Sequence, residues 1–96
     1  YAEPTGSGWK VIVVVKNTGT KSVTIDNMFI NNKPYTSYLG VTANPDVARS
    51  PVTIRAGESM TITITITSGW FASGQTVSII IHTASGGQYP ASVTLP

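Results

Sequence analysis

The chain is predicted to fold as an all-β domain, a two-sheet antiparallel immunoglobulin-like sandwich of about seven strands, and three features say so. The stretch Ser59–Thr67 alternates strictly, with Met60, Ile62, Ile64 and Ile66 on one side and Thr61, Thr63, Thr65 and Thr67 on the other. Side chains of a strand point to opposite faces with period 2, so this is a strand with one apolar and one hydroxyl face. Several further short runs rich in Val, Ile and Thr are separated by turn residues, and no segment carries a sustained helical period. A parallel sheet covered by helices would want apolar residues on both faces, so the alternation argues for antiparallel sheets.

Taken in order, residues 1–8 hold Pro4, Gly6, Ser7 and Gly8 and read as a linker or frayed start, leaving residues 9–96 as one sandwich domain. Trp9 to Lys16 is the next strand. Trp9, Val11, Val13 and Val15 make its apolar row, yet Ile12 and Val14 make the other face apolar as well. A doubly apolar strand implies either a loop lying over the second face or a surface that meets another subunit. Asn17-Thr18-Gly19-Thr20-Lys21 is a turn, with Gly19 free to take positive φ. The strand from Ser22 to Ile30 is expected to send Val23, Ile25 and Phe29 into the core and Met28 and Ile30 to the alternate side.

Asn31-Asn32-Lys33-Pro34 closes that strand, and Tyr35 to Leu39 reads as a further short one. Pro34, Pro45 and Pro51 make residues 40–51 a long loop or a poorly regular edge, because proline cannot donate to a ladder. Val52-Thr53-Ile54 resumes extension and Arg55-Ala56-Gly57-Glu58 turns into the central strand. Residues 68–75 form a loop carrying Trp70 and Phe71. Thr76 to Thr83 is another strand, Ala84 to Gly87 a hairpin turn, and Gln88 to Leu95 the last strand, where Pro90 implies an edge position or a bulge near its beginning. The core should bring Met60, Ile62, Ile64 and Ile66 against Val11, Val13, Val23, Ile25, Val77, Ile79 and Ile81.

At 96 residues without a cysteine, stability must come from apolar packing or from partners. Only 10% of residues are charged, against about 25% in an average soluble domain, so the surface is polar through Ser, Thr, Asn and Gln. Such a surface suits a domain outside the cell or packed in an assembly.

The residues available for chemistry are few. Thiolate metal sites are excluded, and His82 has no second imidazole with which to hold zinc. No nucleophile and orienting group accompany His82, so no enzyme and no cofactor are expected. Four carboxylates, Glu3, Asp26, Asp46 and Glu58, are scattered; Asp26 is expected to pair with Lys16 or Lys21 across a ladder. The net charge of +2 reflects scarce acids, and Lys10, Lys16, Lys21, Lys33, Arg49 and Arg55 form no phosphate track, so nucleic acid is not an expected partner. No asparagine stands in the usual glycosylation motif.

Two groups of residues remain as candidate sites. Ile12 and Val14, with an unpaired edge at Ala91, Val93 and Leu95, form a candidate subunit interface. Tyr35, Tyr38, Trp70 and Phe71 form either a carbohydrate platform or a plug for the open end of the sandwich.

The Asn17-Thr18-Gly19 turn after a Val-rich strand, the turn Ile54 to Ser59 before an Ile/Thr strand, and the ending Ile81 to Tyr89 resemble the soluble β-sandwich domains of archaeal type IV pilin-like proteins. That family includes adhesive pilins, archaellins and stator proteins of the archaellum. The resemblance spans Trp9 to Leu95 and implies an extracellular structural role without catalysis. It implies homo-oligomeric or filament partners, or for a stator a surface-layer protein. It also implies membrane contact or assembly only through an apolar N-terminal helix, a segment absent from this chain.

Overall fold

The structure, a computed structural model describing residues 1–67 and 69–96, contains nine strands among those residues. They are β1 (Ala2–Thr5), β2 (Gly8–Lys16), β3 (Val23–Ile30), β4 (Lys33–Pro34), β5 (Thr42–Asn44), β6 (Val52–Ile54), β7 (Ser59–Thr67), β8 (Thr76–Thr83) and β9 (Gln88–Thr94). Every pairing is antiparallel. One sheet has the order β1-β2-β7-β5; the other has β4-β3-β8-β9, with β6 also paired to β3. The first matches the ABED order of immunoglobulin-like sandwiches and β3-β8-β9 matches their CFG order. The predicted fold class holds, with nine strands in place of about seven.

The Ile/Thr strand does what its alternation requires. Ile62, Ile64 and Ile66 are at most 1% exposed, while Thr61 and Thr65 face solvent. Burying each such side chain contributes about 1.5–3 kcal/mol. They pack in one core with Trp9, Val11, Ile25, Val77, Ile79 and Ile81, and Val13, Val15 and Met60 lie partly buried against it.

The pairing corrects several expectations. Residues 1–8 are not a frayed linker throughout, since Ala2–Thr5 pair with Gly8–Val11 across a Gly6-Ser7 turn. Tyr35–Ser37 is one turn of 3-10 helix and not a strand. Of the two readings of residues 40–51 the irregular edge is the one found, since the short strand β5 pairs Thr42–Asn44 with β7 at the rim of the first sheet. Gly19 does not occupy the left-handed region; Gly57 does, at φ +83°, in the turn before β7. Gly19 instead lets its backbone approach Asn17, whose Oδ1 would lie 3.3 Å from an added Cβ.

The largest correction lies in β3, where Met28 and Ile30 are fully buried and Phe29 is on the outer face. The cause is a bulge. Ile25 pairs with Thr83 but Asn27 pairs with His82, so Asp26 is an extra residue and the faces exchange after it. A β-turn then reverses the chain at Asn31 and Asn32, both at positive φ, as a two-residue hairpin loop of the I′ kind demands.

The side of the sandwich between β1 and β9 is closed at one end only. At the closed end the Trp9 indole N–H donates to the Pro96 carbonyl at 3.1 Å, and Leu95 is buried beside it. At the other end β1 has run out, and a groove of about 600 Å³ opens between Val13 and Val15 of β2 and Tyr89 and Ala91 of β9.

Candidate functional site

The outer face of the first sheet carries the clearest apolar surface among the sequence candidates. Residues paired in register share a face, so Tyr1, which exchanges two backbone hydrogen bonds with Ile12, stands beside it. Val14 follows two residues on and is 65% exposed. Across the ladder lie Thr63 opposite Ile12 and Thr61 opposite Val14. Of the two readings of this doubly apolar strand, a covering loop is not found over Val14 among the described residues, since Val14 is open to solvent, while Ile12 is half-buried. Tyr1 extends the strip, which the sequence could not show because the hairpin with β1 was hidden behind Pro4 and Gly6.

The second half of the candidate interface keeps its edge but loses Leu95. Ala91, Val93 and Leu95 pair with Ile79, Val77 and the backbone of Gln75, and all three point to the inner side of the sheet. Ala91 is exposed, Val93 is half-buried and Leu95 is 1% exposed. Leu95 is held there by its N–H to the Gln75 carbonyl at 2.9 Å and by the Gly74 N–H to its own carbonyl at 2.8 Å. It belongs to the core and is not available to a partner.

The edge of β9 is real but blunted. The Thr83 N–H donates to the Gly87 carbonyl and the Leu95 N–H to the Gln75 carbonyl, so odd-numbered residues of this strand bond β8. Gln88, Pro90, Ser92 and Thr94 therefore turn their backbone outward, and Pro90 has no N–H to offer there.

Three of the four aromatics meet, but not as a platform, and the Tyr35 hydroxyl is engaged elsewhere. Tyr38 lies edge-on to Trp70 at 5.3 Å between ring centroids and tilted against Phe71 at 5.6 Å. Phe71 and Tyr35 are buried, and only Trp70, about half exposed, shows a ring face. Its indole N–H is already committed to the Leu39 carbonyl at 2.7 Å. This is the geometry of a plug over the end of the core, with Trp70 and the exposed Leu39 at its tip. Ser68, the first residue of the aromatic loop, lies outside the described residues.

Beneath the plug, the Tyr35 hydroxyl donates to the Asp46 carboxylate and accepts the Ala48 N–H at 3.0 Å. Asp46 also faces Arg49 at 3.8 Å. Burial, and next the bond to Asp46, push the Tyr35 hydroxyl up to about 12.

On the outer face of the second sheet, His82 donates Nδ1–H to Asp26 Oδ1 at 2.6 Å, and the Phe29 ring stands edge-on to the imidazole. Asp26 thus pairs with His82 and not with Lys16 or Lys21. The bulge brings them together, and nothing in the period of the sequence reports a bulge. Among the described residues no group of three or more His, Cys, Asp or Glu side chains is placed to hold a metal ion.

Compared with known proteins, the chain matches no protein-family model and no curated protein. Its fold and surfaces define a class by themselves: an antiparallel, immunoglobulin-like β-sandwich that presents one uncovered apolar strip and one half-open edge.

Proposed function

We propose that this domain is an extracellular structural module, an outward-facing part of an archaeal-type surface filament, that works through contacts with neighbouring subunits and performs no catalysis. The observation that carries the reading is the uncovered strip of Tyr1, Ile12 and Val14 on a sheet face otherwise clothed in threonine. A filament spreads its binding energy over many repeated contacts, so a modest apolar strip on each copy suffices and no enzyme-like pocket is needed. The low charge content supports the same reading, because a surface poor in like charges packs closely against copies of itself. So does the resemblance of the turns at residues 17–19 and 54–59 to archaeal pilin-like domains.

An anchoring or stator protein that grips a surface-layer protein is the nearest variant of this role, since it would use the same sandwich through one specific interface. The carbohydrate-binding alternative is weaker, because burial of Tyr35 and Phe71 leaves Trp70 alone to stack on a sugar ring.

Immunogold labelling of cells with an antibody to the domain distinguishes the roles. Label along filaments is the expected result. Label confined to filament bases would move the assignment to anchoring, and label in the cytoplasm would overturn it.

A further inference from the structure

The loop that carries the chain from β4 to β5 and the loop that carries it from β7 to β8 meet at one end of the sandwich. Both are internal segments, and the first joins β4 to β5, the two outer strands farthest from β1 and β9. Their apex is apolar. Leu39 is 85% exposed, Trp70 is 47% exposed, and the Tyr38 ring backs the indole edge-on. Gly40, at φ +83° and close to Thr67, turns the chain back just after Leu39.

Neither loop holds a charge, since residues 34–44 and 69–75 contain no Asp, Glu, Lys, Arg or His. The nearest charges in sequence are Lys33 in β4 and the facing pair Asp46 and Arg49 beneath the plug. The far end of the sandwich is the reverse. Strands β2 and β7 run from Gly8 opposite Thr67 at this end to Lys16 opposite Ser59 at the other, where Lys21, Arg55 and Glu58 lie in or beside the turns.

The donors of the tip are spent inside it. The Trp70 indole N–H donates to the Leu39 carbonyl at 2.7 Å, the Tyr38 hydroxyl to the Ile30 carbonyl at 2.8 Å, and the Ala72 N–H to Gln75 Oε1 at 3.0 Å. Entering an apolar medium therefore strands none of these three. A protein partner is recognised by directional hydrogen bonds around an apolar centre, and the Trp70 and Tyr38 donors are already used. A bilayer asks for no such bond. It takes an apolar side chain into its acyl region and an indole at the headgroup boundary. We propose that the apex formed by Leu39 and Trp70 is a membrane-contact site that dips into the interfacial layer of a lipid bilayer, with Leu39 deepest and Trp70 level with the headgroups.

Two side chains hold a single copy weakly, and copies repeated in an array multiply the grip. The contact goes beyond the structural role proposed above and does not depend on it, because a lone domain displays the same tip.

The test is tryptophan fluorescence of the 96-residue chain with phosphatidylcholine vesicles at millimolar lipid, using acyl chains brominated just below the headgroup as the quencher. Trp9 is buried in the core and serves as the internal reference. The expected result is a blue shift and quenching of the Trp70 emission, both lost in Trp70→Phe. Leu39→Asp is expected to weaken binding about tenfold or more, the worth of one buried leucine, with the melting temperature unchanged because Leu39 stands in solvent. Tyr89→Ser, which removes an exposed aromatic from β9, leaves binding intact. Adding phosphatidylglycerol changes it little, since neither loop is charged. Absence of quenching in the parent, equal quenching in the parent and Leu39→Asp, or binding to phosphatidylglycerol vesicles alone would each overturn the proposal. So would a blue shift that grows with protein concentration and no lipid, since a second copy would then cover the tip.

Discussion

The Asn17 side-chain amide donates to the Ile54 carbonyl at 2.9 Å, joining two turns that lie far apart in sequence. The same amide nitrogen donates to the Lys21 carbonyl at 2.8 Å, and Oδ1 accepts the Gly19 N–H at 3.0 Å. The backbone of Asn17 is bonded to Gly57 and Glu58 as well. The two motifs Asn-Thr-Gly and Arg-Ala-Gly-Glu are thus one structural unit, pinned by a buried asparagine whose polar atoms are all used.

Asn17→Ala leaves two carbonyls and one N–H without these partners and is expected to cost about 2–4 kcal/mol. Asn17→Asp keeps the acceptor for Gly19 but faces the two carbonyls with a carboxylate, so it should be no better. Urea denaturation of the three proteins checks this; a loss under about 0.5 kcal/mol for Asn17→Ala would show that the pin contributes little.

Deleting Asp26 removes the bulge and returns β3 to a plain period of 2. Ile25 still pairs with Thr83 and Asn27 with His82, so Met28 and Ile30 keep their inward positions and Phe29 its outward one, and what is lost is the local bend and the contact with His82. The expected outcome is a folded protein with Met28 and Ile30 still buried and a loss of about 1–3 kcal/mol, whereas Asp26→Asn, which keeps the bulge and weakens only the half-exposed contact with His82, should cost at most about 1 kcal/mol. Thermal melts of both variants make the comparison.

The long strands were legible because their burial follows a simple period. Ser59–Thr67 and Thr76–Thr83 have the boundaries that the sequence predicts, and their buried apolar residues are the predicted ones, with Thr83 buried besides. Met28, Phe29 and Ile30 were assigned to the wrong faces because a pattern of alternation carries no mark of an inserted residue. Strand β1 is hidden because Pro4 reads as a breaker, and β5 is legible only as an irregular edge beside Pro45, although each proline lies in or beside a short edge strand where an absent N–H is tolerated. Leu95 shares its side of the sheet with Ala91 and Val93, and only the tertiary closure around Trp9 and Pro96 separates a core residue from an exposed one.

Tyr35 predicts a pH dependence at the alkaline limit. Its hydroxyl is pushed from 10.0 up to about 12 in the folded chain, so the fold favours the neutral form. The stabilisation it gives is complete below pH 10 and is lost as pH rises toward 12, because the unfolded chain releases that proton first. Tyr35→Phe should remove this part of the decline and, at neutral pH, cost about 1–3 kcal/mol for the unpartnered Ala48 N–H and Asp46 carboxylate. Denaturant midpoints measured from pH 8 to 12 would contradict this if the two curves ran parallel.

Leu95→Ala separates core from interface at the end of β9. Leu95 is 1% exposed, so the substitution is expected to cost about 2–5 kcal/mol, comparable with Ile64→Ala, while Thr65→Ser on the wet face of β7 stays within about 0.5 kcal/mol. Equal losses for all three in guanidinium melts would mean that the two faces of the sandwich have been interchanged.

The proposal that the domain acts in a surface filament through the outer face of its first sheet is tested most directly by Val14→Lys in the protein expressed in its own cells, with surface filaments counted by electron microscopy. Val14 is 65% exposed, so the substitution should leave domain stability within about 0.5 kcal/mol of the parent. The account predicts that filaments are lost or shortened while the melting temperature of the domain is unchanged. Filaments of normal number and length, in Val14→Lys and in Ile12→Lys alike, would contradict it.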